Sequence, residues 1–386
     1  MENIKRLADN SPEGGPKKRS VFSDITNAIA STLGPSHKKA LVQLTRKASK
    51  TTKKINKKLA QEKKSEVEDS IHETAKSEEI QKELFELSTS TSNEEISIEE
   101  QSFHVKNKDE LLPKVPENVD DFDRESIDDP FCEPLYAYDI FKYYKERESE
   151  FKLKKYMECQ PDLSKSMRAI LIDWMVEVQE NFELYHETLY LAVKLVDHYL
   201  MRKTVPKFLL QLVGSTALFI ACKYDEQRPP LIDDFLYICD DAYSRKELIA
   251  MERNILKELD FNLGIPLSYR FLRRYARCGK INMETLTLAR FILETSLLEY
   301  ELIETSDSLI AAASLLLALK MKNMEGWTTT LEFYSGYKET ELTGLVYQLN
   351  SLISAPSPKN LQTIRTKYAH KVFFEVSKIP PLKDKD

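Results

Sequence analysis

The chain has 386 residues, 42 % hydrophobic and 31 % charged, with only 9 glycines and a net charge of −6. That apolar content suffices for one large or two ordinary cores, and scarce glycine disfavours phosphate loops and barrel corners. No stretch approaches the roughly 18 uncharged apolar residues needed to cross a bilayer. The N-terminus carries no apolar signal core, and Cys132, Cys159, Cys222, Cys239 and Cys278 never form the C-x-x-C spacing of a zinc site or disulfide framework. The expectation is a soluble intracellular helical protein with no membrane partner and no cofactor.

Residues 1 to about 120 are rich in Lys, Glu, Ser and Thr, with isolated apolar side chains that cannot offset the entropy of ordering. They are expected to form a disordered regulatory tail. Within it, Lys38 to Lys64 is a basic block with Glu62 its only acid, and acids dominate from Ser65 to Asp129. A basic block in such a tail reads as a nuclear-import segment in preference to a folded nucleic-acid site.

From about residue 130 apolar residues recur at helical spacing. One amphipathic helix is expected from Tyr136 to about Phe151. Helices follow over Met167–Phe182, with Ser164 or Ser166 as N-cap, and then over Glu187–Met201 and Lys207–Tyr224. Leu231–Ile238 and Arg245–Leu259 come next, and Pro266 opens a second series that runs to about Val376. No segment alternates with period two for long enough to make a sheet.

An internal repeat organises these helices. Glu187 to Ala192 resembles Glu284 to Ala289 at an offset of 97, and Ala217 to Lys223 lies over Ser314 to Lys320 at the same offset. A fixed period marks duplicated structural units. Both second matches are apolar nearly all round, and they carry Gly214, Ser215, Ala217 and Ala221, or Ala311, Ala312, Ala313 and Ala318. A helix without a polar face is buried on every side, and small residues let neighbours approach closely. The expected fold is all-α, with two tandem five-helix bundles over 165–262 and 263–372. A short helix and linker over 130–164 precede them, and a C-terminal tail over 373–386 follows.

Enzyme signatures come up short. His186-Glu187 lacks the second His of a zinc-protease helix, and Asp233-Asp234 and Asp240-Asp241 lack a third acid at helical spacing. These carboxylates read as loop or cap residues. More informative is the run from Met167 to Val178, where Ile170, Trp174 and Val178 share one face and Met167 and Leu171 another. That apolar surface is wider than one core seam needs, so it is either core around a large Trp anchor or in part a groove for a peptide with an apolar anchor. Arg168, inside the same helix, needs a buried carboxylate, for which Asp197 is the candidate. Lys223 and Glu252, by themselves, are no more than exposed charges.

At these residues the chain resembles a known family. Met167 to Trp174, Glu187 to Leu189, Leu210 to Gly214, Lys223 to Glu226, Ile238 to Tyr243 and Met251-Glu252 are similar, in order, to the cyclin box. Phe271 to Ala276, Trp327 to Leu331 and Lys367 to Phe373 point to B-type (mitotic) cyclins, the B3 branch in particular. The resemblance implies a non-catalytic subunit that binds and activates a mitotic cyclin-dependent serine/threonine kinase, helps select its substrates and controls G2/M progression and mitosis. It implies kinase binding by Lys223 and Glu252, with Ile220, Tyr224, Phe261 and Tyr143 around them. It implies a substrate-docking patch of Met167, Ile170, Leu171, Trp174, Glu177, Leu210 and Gln211, in which Glu177 pairs with a basic residue. Arg168 and Asp197 match the family's internal ion pair. In the tail, Arg19, Phe22, Asp24, Ile25 and Asn27 resemble the destruction box read by the anaphase-promoting ubiquitin ligase, with Phe22 where Leu is usual. Timed degradation and a nuclear location are the corresponding expectations. Cys222 stands where cyclins more often have Ser. Two other classes compete. A cyclin-fold transcription factor would want a zinc ribbon ahead of the bundles, and a metal-dependent helical enzyme would want a completed acidic cluster.

Overall fold

The described residues (Leu112, 114–129 and 132–383 of a computed structural model) contain helices and turns and no strand. A four-residue helix α1 (Phe122–Glu125) precedes α2 (Pro134–Arg147). The first bundle comprises α3 (Lys165–Asn181), α4 (His186–Arg202), α5 (Leu210–Asp225), α6 (Ile232–Ile238) and α7 (Arg245–Glu258). The second comprises α8 (Ser268–Cys278), α9 (Met283–Ser296), α10 (Asp307–Met321), α11 (Thr329–Ser335) and α12 (Glu339–Ser354), and α13 (Thr363–Lys367) follows it. The pairs α4 and α9, α5 and α10, and α6 and α11 each begin 97 residues apart, so the repeat in sequence is a repeat in structure.

Local chemistry sets the helix ends. The Ser164 hydroxyl accepts from the Met167 amide at 3.3 Å, and Ser244 with Glu247 forms a reciprocal capping box on α7. α2 stops at Arg147, short of the expected Phe151. The Glu148 carboxylate turns away to cap α10, accepting from the Ser308 amide and hydroxyl at 2.6 Å each. The central helix of the first bundle begins at Leu210 rather than Lys207, because Lys207–Leu209 forms a separate 3-10 turn.

The two central helices carry the packing. Every residue of α5 from Leu210 to Cys222 is buried, as is α10 from Ile310 to Leu319. Each buried Leu or Ile contributes roughly 1.5–3 kcal/mol. The expected role of small residues is borne out at Gly214, where an added Cβ would lie 2.8 Å from Leu171 Cδ1 on α3. Cys222 is fully buried, and burial pushes its thiol up to about 12.

Segments outside the bundles complete them. Leu112 is buried, Thr329 Oγ1 donates to the Asn118 carbonyl at 2.7 Å, and the Asp120 amide donates to Thr330 Oγ1 at 3.1 Å. Arg274 grips Asp123 through two buried bonds of 2.6 and 2.5 Å. The tail boundary expected near residue 120 therefore falls inside a strap that lies on the second bundle. The stretch from 373, expected as a tail, is also packed. Val376 is fully buried, and Asn350 exchanges two hydrogen bonds with the Leu382 backbone at 2.9 and 3.0 Å. Both additions rest on contacts between residues far apart in the chain, to which a local reading of periodicity is blind.

Candidate functional site

Lys223 lies near the C-terminus of α5, and its ammonium donates to Glu252 on α7 while sitting 4.4 Å from the centroid of the Phe219 ring. The lysine side chain is half exposed and the glutamate less so. A pair in such a setting adds at most about 1 kcal/mol to stability. One hydrogen bond uses one of three ammonium donors, so the pair keeps capacity for a partner's polar groups.

Next to Lys223 in the chain, Tyr224 on α5 is 52 % exposed, as is Tyr143 on α2, and Phe261, beyond α7, is 65 % exposed. All three line one cleft of about 330 Å³, which Leu191, Ile265 and Leu267 also line. Phe261 is held there by the turn that ends α7. Asp260 and Phe261 have φ of 51° and 56°, a left-handed conformation that costs a residue with a side chain roughly 1–2 kcal/mol. The Phe261 amide, donating to the Leu256 carbonyl at 2.9 Å, helps to hold the turn. The same left-handed turn closes other helices at Glu183, Lys280 and Asn323, and here it leaves a large apolar ring in solvent. Ile220, expected beside these residues, is only 2 % exposed and lies beneath the face.

The patch on α3 is more closed than expected. Met167, Ile170 and Glu177 are half-buried, whereas Leu171, Trp174, Leu210 and Gln211 are buried. Trp174 is a core anchor, as its size and spacing allowed, so the open part of the groove is narrow. Asp234 accepts from the Leu231 amide at 2.8 Å as a helix cap, and Asp240 and Asp241 sit in an exposed turn at φ 53°. Among the described residues no three His, Cys, Asp or Glu side chains are placed to hold a metal. The segment from Arg19 to Asn27 and the basic block lie outside the described residues.

The buried pair Arg168–Asp197 is present in full. Arg168 Nε and Nη2 meet the two carboxylate oxygens at 2.7 Å each, Nη1 donates to the Leu297 carbonyl at 2.9 Å, and Tyr156 Oη donates to Asp197 at 2.7 Å. Burial pulls the guanidinium's pKa down, but Asp197 outweighs it and the net shift is upward. Because Leu297 follows α9, this pair ties the first bundle to the second.

A second centre escaped the sequence reading. Glu294, fully buried on α9, accepts from Lys367 Nζ at 2.6 Å and Tyr368 Oη at 2.8 Å, and the same ammonium donates to Gln179 of the first bundle at 2.8 Å. Burial raises the Glu294 pKa, Lys367 and His186 lower it, and the balance lies below the usual value. Glu294 stands 97 residues after Asp197, so the repeat offset itself could have singled it out.

Comparison with known proteins decides the family. Residues 139–264 match the family described as Cyclin, N-terminal domain, and 266–382 match Cyclin, C-terminal domain. Over 98 % of its length the chain is 49 % identical to the G2/mitotic-specific cyclin-B3 of Gallus gallus, 88 % of which it covers. The chain belongs to the cyclin family, in its B3 branch. This cyclin is also 54 % identical over 71 % of its length to cyclin-B3 of Drosophila melanogaster, and 53 % identical over 70 % to that of Homo sapiens. It spans only 49 % and 19 % of those two relatives' lengths. Among solved structures it is similar to a viral cyclin from herpesvirus saimiri, with a TM-score of 0.50 and 27 % identity, over 56 % of this chain and 96 % of that one. Membership of the family makes it a regulatory subunit and not a catalytic one.

Proposed function

We propose that this cyclin binds and activates a mitotic cyclin-dependent kinase through the face built on Lys223, Glu252, Tyr224, Phe261 and Tyr143. The observation that carries the reading is the asymmetry of the repeat. Ninety-seven residues on, Lys223 has a counterpart in Lys320 but Tyr224 becomes Met321, and across α7 and α12, which begin 94 residues apart, Glu252 and Phe261 become Val346 and Ala355. The scaffold folds without the charged and aromatic set, so that set serves another purpose. A protein kinase needs its strand Lys–helix Glu pair and its metal-binding Asp in place at once, and a mobile helix and activation segment prevent this in isolation. A rigid face that hydrogen-bonds kinase backbone through Lys223 and Glu252, and covers apolar surface with the aromatics, holds both elements. No atom of the cyclin enters the chemistry.

The further roles follow the same resemblance. The half-buried Met167, Ile170 and Glu177 receive a substrate motif with a Leu and a basic residue, over a floor of Leu171, Trp174, Leu210 and Gln211. The segment from Arg19 to Asn27 is read by the anaphase-promoting ubiquitin ligase, the neighbouring lysines accept ubiquitin, and the basic block directs the protein to the nucleus.

Two measurements test this. The full chain, mixed with a monomeric mitotic cyclin-dependent kinase, is expected to switch on histone phosphorylation, and Lys223→Ala with Glu252→Ala to abolish that gain. Activation undiminished in the double variant removes the assigned face. In dividing cells Arg19→Ala with Phe22→Ala is expected to prolong the protein's lifetime at mitotic exit, and equal half-lives discard the degron.

A further inference from the structure

We propose that Arg147 is the positioning residue of the kinase-binding face: it locks Tyr143 and the Phe261 turn in register across the cleft. The inference rests on the reading of that face as the kinase contact.

Arg147 is the last residue of α2 and presents all three guanidinium nitrogens to three different groups. Nη1 donates to Tyr143 Oη at 2.7 Å, one turn back on the same helix. Nη2 donates to Asn262 Oδ1 at 2.8 Å, and Nε to the Gly264 carbonyl at 3.1 Å. The last two belong to the linker between the bundles, directly after the left-handed pair Asp260 and Phe261. The guanidinium also lies 5.1 Å from the centroid of the Phe151 ring and 5.7 Å from that of Tyr143. One side chain thus joins the helix that carries Tyr143 to the turn that carries Phe261, and Arg147 lines the same 330 Å³ cleft as both.

The chemistry explains why arginine stands here. Two exposed aromatic rings on separate elements lose rotational and backbone freedom when a partner closes on them, and that loss weakens binding unless it is met in the free protein. A planar fork with donors in fixed directions meets it by fixing both elements beforehand. An ammonium on a flexible stem cannot hold an amide oxygen, a carbonyl and a phenol in one plane. Lysine at 147 would keep the charge and lose the register.

The test is a double-mutant cycle on affinity for the monomeric kinase, using the full chain. Arg147→Met is expected to weaken binding about tenfold, as loss of charged hydrogen bonds predicts, and Arg147→Lys to recover less than half of that on a logarithmic scale. Tyr143→Ala with Phe261→Ala weakens binding by itself, and adding Arg147→Met to that pair is expected to cost little more, because the arginine acts through the two rings it positions. A purely structural role would give additive losses in the cycle. If Arg147→Met lowers the midpoint of thermal unfolding, Asn262→Ala, an exposed change at the far end of one bond, takes its place in the same cycle. Unchanged affinity in Arg147→Met, full recovery by Arg147→Lys, or additive losses overturn the proposal while leaving the kinase face standing. A parent chain that does not bind the kinase overturns both.

Discussion

The two bundles place a buried carboxylate at the same point of the repeat and use it differently. Asp197 on α4 and Glu294 on α9 each accept from a cation and a tyrosine hydroxyl. In the first bundle the cation, Arg168, comes from the bundle's own leading helix, and its spare nitrogen reaches across to Leu297. In the second it is Lys367, from a five-residue helix beyond the bundle, which also reaches back to Gln179. Duplication has kept the acceptor and changed the donor. The surface shows the same divergence, since the first bundle alone carries the Lys223–Glu252 face and the second is occupied by the strap at Asp123 and the segment through Leu382. On the proposed reading the first repeat unit binds the partner, and function then belongs to a site added to the scaffold and not to the scaffold itself.

Breaking either buried centre is the severest way to probe that comparison. Removing one member of a buried ion pair strands the other without solvent and costs about 3–5 kcal/mol. Arg168→Ala and Lys367→Ala are therefore both expected to lower the stability measured by urea unfolding by that order, with Arg168→Ala the larger because Arg168 meets its carboxylate through two bonds and Lys367 through one. Comparable losses would place the two donors on an equal footing. No loss at Lys367 would mean that the second centre is not structural.

Acid sharpens the comparison further, because each centre has a histidine close by. His186 approaches Glu294 at 3.8 Å, and His198 follows Asp197 on α4. Burial is the main cause that holds each near 4, below the ordinary 6.5, so both are neutral in the fold at neutral pH. The unfolded chain takes up those protons first as pH falls. The stability is complete above about 6.5 and is lost progressively toward 4, by roughly 2 kcal/mol for each histidine at pH 5. Thermal unfolding followed from pH 7 to 5 is expected to show this decline, and His186→Gln with His198→Gln to flatten it. A profile as steep in the double variant would assign the decline to other groups.

Much of the architecture was legible in the sequence because its signals are local or periodic. Apolar periodicity and a serine cap located five helices in the first bundle, and the 97-residue offset carried the same count to the second. The Arg168–Asp197 pair was legible too, since two charges inside apolar runs must meet. The Asp123–Arg274 and Lys367–Glu294 pairs were not, because each joins a polar-looking flank to a helix of the second bundle 151 or 73 residues away. At the site, resemblance named the residues without their exposure. Lys223 pairs with Glu252, and Tyr143, Tyr224 and Phe261 line one cleft, but Ile220 and Trp174 are covered by packing that a motif does not encode. Arg147 went unnoticed in an amphipathic helix, where an arginine near the C-terminus reads as an ordinary terminal charge.

The most direct test sets the two repeats side by side in one assay. Histone phosphorylation by a monomeric mitotic cyclin-dependent kinase is measured with the full chain, with Lys223→Ala, and with Lys320→Ala, its counterpart in the second repeat. Lys320 pairs with Glu339 at 2.8 Å at the surface, an interaction worth at most about 1 kcal/mol. If the first repeat alone holds the kinase, Lys223→Ala loses most of the activation and Lys320→Ala keeps it. Equal losses, or a loss confined to Lys320→Ala, would contradict the assignment of the binding face to the first repeat.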